Sequence, residues 1–233
     1  FSMAVALGYA RVFSGWPFIA DMGVIVIAGH GVGFLLRRLG VSTWLATLTM
    51  ALGLAWVVLA LLYADTFSMA LPTIDTWSAL SSQLGSARSG FGTAVAPVNY
   101  AAGWDAMAAV GLALTVLLAD VFAFRFNARA EALVPGGVLF VFVGAIGDDR
   151  LRLVTSVLLV GIGVASTVML RAYHSDPGRD QPVESTWRSW SGAIGFAVLV
   201  AAIAGLAGPR LPGADAAALY QPDSGGGSGG DTL

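Results

Sequence analysis

The chain has 233 residues, and its composition is unlike that of a soluble globular protein. Hydrophobic residues make up 57% and charged residues 11%, whereas soluble domains carry about 25% charged residues, and the mean hydropathy is +0.78. A net charge of −2 excludes the basic surface that DNA or RNA binding requires. The absence of cysteine excludes disulfides, thiolate metal sites and cysteine nucleophiles.

Apolar stretches of membrane-spanning length recur along the chain. A hydrocarbon core about 30 Å thick requires roughly 20 mostly apolar residues in a helix, because backbone polar groups must be satisfied internally where water is absent. We predict spans, one of them short, at residues 18–36, 44–64, 104–124, 134–146, 151–170 and 190–207, with 1–13 as the end of a further helix. The sequence therefore predicts an all-α, polytopic integral membrane helical bundle of six or seven spans within residues 1–210.

The segment 134–146 is the shortest predicted span. Its 13 residues would cover only about 20 Å at the rise of an α-helix, and Pro135 with two glycines favours an irregular entry. The segment is therefore either a full crossing or a half-span or re-entrant element. In the second case every later assignment of side would be inverted.

The arginines give the orientation. The arginines that follow the spans 18–36, 104–124 and 151–170 would share the cytoplasmic side, since cytoplasmic loops carry the excess of basic residues. They are Arg37, Arg38, Arg125, Arg129, Arg171, Arg179 and Arg188. The opposite side receives Arg11, Arg88, Arg150, Arg152 and Arg210. Tryptophans are predicted at span ends, as amphipathic rings prefer the headgroup level; they are Trp16, Trp44, Trp104, Trp187 and Trp190. The segment after residue 210 would leave on the outer face of the bacterial plasma membrane.

The longest connection, residues 65–103, would lie on the outer face and contain an amphipathic surface helix at about 73–85. Thr73 can cap it, and apolar residues recur at helical spacing at Ile74, Trp77, Leu80 and Leu84. The helix is either a lid on its own bundle or a docking surface for another domain. Its polar face lacks Lys and Arg, so attraction to anionic lipid is not its expected purpose. Residues 85–103 are interrupted by Gly and Pro, with an extended stretch around Pro97.

Two other segments are predicted to be irregular. Residues 174–189 carry mixed charge and two prolines, which is typical of a solvated cytoplasmic loop. Residues 211–233 form a flexible extracytoplasmic tail or linker, because the run 225–230 is glycine-rich. The tail either tethers a further segment or is not native.

Ionisable residues inside spans are the first candidates for function, because a charge at the bilayer centre costs several kcal/mol. Asp21 lies in the first turn of the second span, where a helix N-terminus favours an anion. Asp120 lies about one turn before the cytoplasmic end of the fourth span. Pairing with Arg125 at the interface is its simplest explanation.

His30 is the most central of these candidates. Gly29 and Gly33 flank it and form a small-xxx-small face for close helix approach. We expect the ring to hydrogen-bond a neighbouring backbone group; a role in a proton pathway is the alternative.

The sequence offers no catalytic, cofactor or metal site. His30 and His174 are predicted at different depths with no acidic cluster beside them. There is no lysine, and hence no phosphate-binding loop. We therefore expect no cofactor and no enzyme activity from these residues.

Several apolar motifs together resemble a known membrane domain. They are the stretch Ala96-Pro97-Val98, the run from Gly103 that ends in Leu117-Leu118-Ala119-Asp120-Val121-Phe122-Ala123-Phe124-Arg125, and residues 130–135. The chain resembles the N-terminal membrane domain of bacterial transglutaminase-like TgpA proteins (DUF3488-type), in the actinobacterial style. In such proteins a several-span membrane domain precedes an extracytoplasmic transglutaminase-like domain with a Cys, His and Asp arrangement.

The resemblance implies a non-catalytic membrane anchor or scaffold for a cell-envelope enzyme domain that is not in this chain. It transfers no catalytic residue, since the chain has no cysteine. It also implies the lipid bilayer, a MoxR-type AAA ATPase and a DUF58 protein as partners. A small transporter with Asp21, His30 and Asp120 as its polar pathway is the alternative, and an integral subunit of a larger membrane complex is a third.

Overall fold

The computed structural model describes residues 1–174, apart from residues 102, 127 and 129. The described part is mostly helical, with seven α-helices and one very short β-hairpin. The elements in chain order are α1 (Ser2–Gly8), α2 (Phe18–Arg38), α3 (Thr43–Leu62), β1 (Phe67–Ser68), β2 (Leu71–Pro72), α4 (Ile74–Gly90), α5 (Trp104–Asp120), α6 (Val134–Ile146) and α7 (Arg152–His174). The predicted span 190–207, the loop after residue 174 and the tail 211–233 lie outside the described residues.

Four helices among the described residues are long and apolar enough to cross a membrane. They are α2, α3, α5 with the turn that follows it, and α7. The helix α6 occupies the predicted range but is shorter than the other four. The N-terminal apolar segment forms only α1 and a 3₁₀ turn, Tyr9–Arg11. The structure therefore contains four membrane-length helices in its described part, compared with the six or seven spans predicted for the whole chain.

The helix α2 ends at a glycine. Gly40 has φ +65°, a conformation that glycine adopts without steric cost. Its N–H donates to the carbonyl of Arg37 and the N–H of Val41 donates to the carbonyl of Leu36. These two bonds form a Schellman motif, which satisfies carbonyls at the helix end and turns the chain into α3.

The core lies where α1, α2, α3, α5 and α6 pack together. Its fully buried side chains include Phe18, Met22, Ile25, Met50 and Leu112. Gly29 and Gly33 allow the close approach of α2 that the sequence predicts. A Cβ on Gly29 would lie 2.5 Å from Val116 Cγ1 of α5 and 3.1 Å from Leu54 Cδ2 of α3.

The contacts define two ends of this bundle. At the Asp120 end, α2 and α5 finish while α3 and α6 begin. At the Arg11 end, α1 and α6 finish, and Arg11 donates from Nε to the carbonyl of Asp148 at 2.8 Å and from Nη2 to that of Gly144 at 3.2 Å. The helix α6 thus runs from the Asp120 end to the Arg11 end.

The extended stretch predicted at Ala96-Pro97-Val98 is present only at Val98, because Ala96 and Pro97 form a bend. Val98 pairs in a parallel bridge with Phe13, donating its N–H to the carbonyl of Val12 and accepting the N–H of Ser14. This pairing fixes the chain before α5 against the end of the first apolar segment.

The helix predicted at about 73–85 corresponds to α4, which begins at Ile74 and continues to Gly90. Ile74 and Trp77 are exposed, so these two residues of the predicted apolar face do not pack on the bundle. Thr76 and Ala87 are buried, and α4 therefore packs on its own bundle along the side that carries them. The hairpin before it was not predicted.

Candidate functional site

Asp120, the last residue of α5, is the centre of a buried cluster of charges. Its side chain has no exposed surface. Oδ1 accepts a hydrogen bond from Arg37 Nη1 at the end of α2, and Oδ2 lies 3.7 Å from Arg125 Nη2. We call Asp120, Arg37 and Arg125 the Asp120 cluster. Burial requires such pairing, because an uncompensated charge in a low-dielectric interior is costly.

A π-helical turn brings Arg125 to Asp120. In a regular α-helix, a residue five positions further along lies about 140° round the axis, which would separate the two side chains. Here α5 continues as a π-helical turn, Val121–Arg125, and Phe126 donates its N–H to the carbonyl of Val121 at 3.2 Å. The wider turn reduces the angle about the helix axis between Asp120 and Arg125. Such turns are frequent at functional sites. The predicted pairing of Asp120 with Arg125 is therefore present.

The surroundings of the cluster connect three helices. Gly33 of α2 leaves room for the carboxylate, since a Cβ there would lie 2.6 Å from Asp120 Oδ1. The Arg37 guanidinium carbon lies 3.9 Å from the centre of the Phe124 ring, a cation–π contact. Arg125 Nη1 donates to the carbonyl of Thr43 at the start of α3 at 3.2 Å. The cluster therefore links the ends of α2 and α5 to the beginning of α3.

The chemistry of the cluster suits a fixed link rather than proton transfer. Two guanidinium groups face one carboxylate, and arginine keeps its proton in proteins. In the described part of the chain, Asp120 Oδ2 and the Nε and Nη2 atoms of Arg125 have no hydrogen-bond partner. The link to Arg125 is therefore electrostatic, and the link to Arg37 is a charge-assisted hydrogen bond.

His30 lies three residues before Gly33, on the inner side of the cluster. Its Nε2 and the hydroxyl of Ser2 are hydrogen-bonded at 3.0 Å. The partner of the ring is thus a side chain of α1, rather than the backbone group expected from the sequence. The bond attaches the N-terminal helix to the middle of α2.

Asp21 belongs to the opposite end of the bundle. Its Oδ2 accepts a hydrogen bond from the Tyr100 hydroxyl at 3.0 Å. Burial and the adjacent Asp21 carboxylate raise the pKa of Tyr100 above its ordinary value. Twelve residues of α2 separate Asp21 from Gly33, which is about 18 Å along the axis. The structure therefore brings Arg125 to Asp120 and places His30 nearby, but it does not bring Asp21 to them.

Sequence reasoning missed Arg37 and Ser2 as partners. From the sequence, Arg37 was used only to predict which side of the membrane is cytoplasmic. A signal for its role existed, because residues four apart share a helix face and Arg37 follows Gly33 by four. No comparable signal pointed to Ser2, since its partner is 28 residues away.

Comparison with known proteins identifies the family of the chain. A family model described as the TgpA N-terminal domain matches residues 1–233. No curated protein and no solved structure matches the chain. The match covers the whole chain, including the helices that carry the Asp120 cluster, and the chain therefore belongs to the TgpA N-terminal domain family.

Proposed function

We propose that this chain is the non-catalytic membrane anchor and scaffold domain of a bacterial transglutaminase-like cell-envelope protein, whose enzymatic domain lies outside these residues. Membership of the TgpA N-terminal domain family supports the assignment. The four membrane-length apolar helices of the described part support a membrane location.

One observation carries the scaffold role. Asp120, the most deeply buried charge among the candidates, joins α2 and α5 through Arg37. Arg125 extends the same cluster to α3 through the carbonyl of Thr43. The charged groups of this cluster thus contact each other and the backbone, an arrangement that fixes helix positions.

The same residues suggest an orientation in the plasma membrane. Arg37, Arg38 and Arg125 lie at the Asp120 end, and basic residues next to short loops favour the cytoplasmic side. The Arg11 end would then face the cell envelope, as would the C-terminal segment. This is the side on which a transglutaminase-like domain would act.

Domain replacement in the full-length protein tests the proposal. The 233 residues are replaced by an unrelated multi-span anchor that delivers the following domain to the same side of the membrane. A pure anchor and scaffold is exchangeable, so we expect the exchanged protein to restore the envelope phenotype of a deletion strain. The matched control is the same exchange with an anchor that places the following domain in the cytosol, which should not restore it.

A different result would contradict the proposal. If the exchanged protein is produced and inserted at the normal level but restores nothing, anchoring alone does not account for the domain, which then either holds specific partners or has an activity of its own. A small transporter with Asp21, His30 and Asp120 as its polar pathway would then be favoured, as would an integral subunit of a larger complex. Substrate flux in vesicles carrying this chain would distinguish these two.

The family also suggests partners. A MoxR-type AAA ATPase and a DUF58 protein are candidates for contact with the loops at the Asp120 end, residues 39–42 and 126–133. These loops would face the cytosol in the orientation proposed above. Crosslinking from a photoreactive residue introduced at the exposed position 39 would test that contact.

A further inference from the structure

The β-hairpin before α4 has an apolar tip in a turn that favours other residues. Met69 and Ala70 join β1 to β2 with φ of 49° and 64°. Positive φ at both central residues defines a type I′ turn, in which Asn and Gly are strongly preferred. Here a methionine occupies the first position, and its side chain is 96% exposed. The chain thus presents a large apolar group at a place where a polar or small residue would be less strained.

The tip is part of a larger exposed apolar surface, which we call the hairpin patch. It comprises Met69, Leu71 (65% exposed), Ile74 (80% exposed) and Trp77 (52% exposed). The strand β2 leads directly into the first turn of α4, so these residues are neighbours in the chain. The other face of α4 already packs on the bundle through Thr76 and Ala87. The patch therefore faces away from the protein.

The hairpin is attached to the apolar outer surface of α3. Trp56 Nε1 donates to the carbonyl of Ala70 at 2.9 Å, and the Trp56 and Phe67 rings make an edge contact with centroids 6.3 Å apart. Trp56 is the last member of an exposed stripe at helical spacing that comprises Leu45, Leu48, Leu52 and Trp56. On a membrane-spanning helix such a stripe faces lipid. The hairpin that carries the patch contacts this stripe at Trp56.

Helix length sets the depth of the tip. The 20 residues of α3 extend about 30 Å, which equals the thickness of the hydrocarbon core. Trp56 lies six residues before the last residue of α3, so the Ala70 carbonyl is held roughly 9 Å along the axis from that end. If the end of α3 marks the edge of the hydrocarbon core, this position lies within the roughly 5–10 Å to which interfacial elements bury their apolar face at the boundary of headgroups and acyl chains.

Charge does not account for the position of this segment. Residues 39–87 contain no Arg or Lys, and the acidic Asp65 and Asp75 lie on either side of the hairpin. Attraction to anionic headgroups therefore cannot place this segment. Burial of apolar area can, because it is proportional to the surface removed from water and independent of lipid charge.

We propose that the hairpin patch inserts into the bilayer interface beside α3, as a non-spanning element at the Arg11 end. Its occupant is lipid at the boundary of headgroups and acyl chains. Insertion at the hairpin and packing of the opposite face on the bundle together fix the position of α4 on the membrane surface.

Spin-label accessibility tests this directly, because the 233 residues contain no cysteine. Single-cysteine variants Met69→Cys and Ile74→Cys carry a nitroxide in nanodiscs of phosphatidylcholine with phosphatidylglycerol. The matched control is Ser82→Cys, which is exposed on the same helix and lies about 80° round the axis from Ile74 and about 140° from Trp77. We expect the labels at 69 and 74 to lose collisions with a water-soluble nickel chelate, relative to the Ser82→Cys label, and to keep collisions with oxygen.

Three outcomes would overturn the proposal. Nickel collisions at 69 and 74 equal to those at Ser82→Cys would place the patch in water. Loss of collisions with both reagents would mean that a protein surface, such as a second copy or another domain, covers the patch. If the labels at 69 and 74 regain collisions with the nickel chelate in discs without phosphatidylglycerol, charge rather than apolar burial holds the segment. Unchanged helix content by circular dichroism shows that each labelled variant is folded.

Discussion

At the scale of single residues, Asp120 is a charged side chain with no exposed surface in the described part of the chain. It is fully buried and pairs with two arginines, one of them through a short π-helical turn. Breaking a buried pair by removing one partner is costly, because the remaining charges stay buried without compensation. The two guanidinium groups would then face each other with no carboxylate between them.

We therefore predict that Asp120→Asn, which keeps the side-chain shape, destabilises the protein by about 3–5 kcal/mol. Thermal unfolding in detergent, followed by loss of the monodisperse elution peak, measures the change. The control is Asp149→Asn, which breaks an exposed pair with Arg152 at 3.7 Å and should cost about 1 kcal/mol or less. Equal losses in the two variants would show that the Asp120 cluster is not a structural link.

At the scale of elements, α2 is organised by its glycines. Gly29 and Gly33 lie on one face and let α3 and α5 approach closely. Gly31 lies on a different face, where a Cβ would meet nothing within 4 Å. Substituting alanine at Gly33 and at Gly31 therefore separates the effect of helix packing from the effect of helix propensity.

Gly33→Ala should destabilise the protein by about 1–3 kcal/mol, since the added methyl overlaps Asp120 and the surrounding structure must move. Gly31→Ala should be neutral or stabilising by about 0.5–1 kcal/mol, because alanine favours the helix. Unfolding midpoints of both variants, measured in the same detergent, provide the comparison. A stabilising Gly33→Ala would show that α2 and α5 do not approach closely at this position.

At the scale of the whole molecule, two arginines at the Arg11 end tie distant parts of the chain together. Arg11 is only 4% exposed and donates hydrogen bonds to the carbonyls of Gly144 in the last turn of α6 and of Asp148 after it. Arg150 Nη2 reaches back to the carbonyls of Ala10 at 3.3 Å and Phe13 at 3.2 Å. These reciprocal bonds close the bundle across more than 130 residues of sequence.

Arg11→Gln should destabilise the bundle by about 1–3 kcal/mol, because it leaves buried carbonyls without donors. Increased trypsin cleavage at Arg150 and a lower unfolding midpoint would both report the opened end. Arg88→Gln, a matched change of an exposed arginine on α4, should alter neither readout. Identical behaviour of the two variants would mean that the Arg11 bonds do not hold the end of the bundle together.

The amino-acid sequence by itself determined where the long helices lie. A membrane-length helix satisfies its own backbone within one continuous apolar segment, so a local pattern is sufficient to locate it, and α2, α3, α5 and α7 lie close to their predicted ranges. It did not predict the hairpin, because two-residue strands are too short to show alternation and Met-Ala is not the usual turn pair. The family resemblance, carried by apolar motifs along the chain, was confirmed.

Only the tertiary structure decided which polar groups from distant parts of the chain meet. Arg37 and Asp120 are 83 residues apart, Ser2 and His30 are 28 apart, and Arg11 and Gly144 are 133 apart. No local periodicity encodes such distances, since they follow from how helices of similar apolar character pack against each other. Small differences in close approach, such as those at Gly29 and Gly33, select one arrangement, and the buried charges then pair within it.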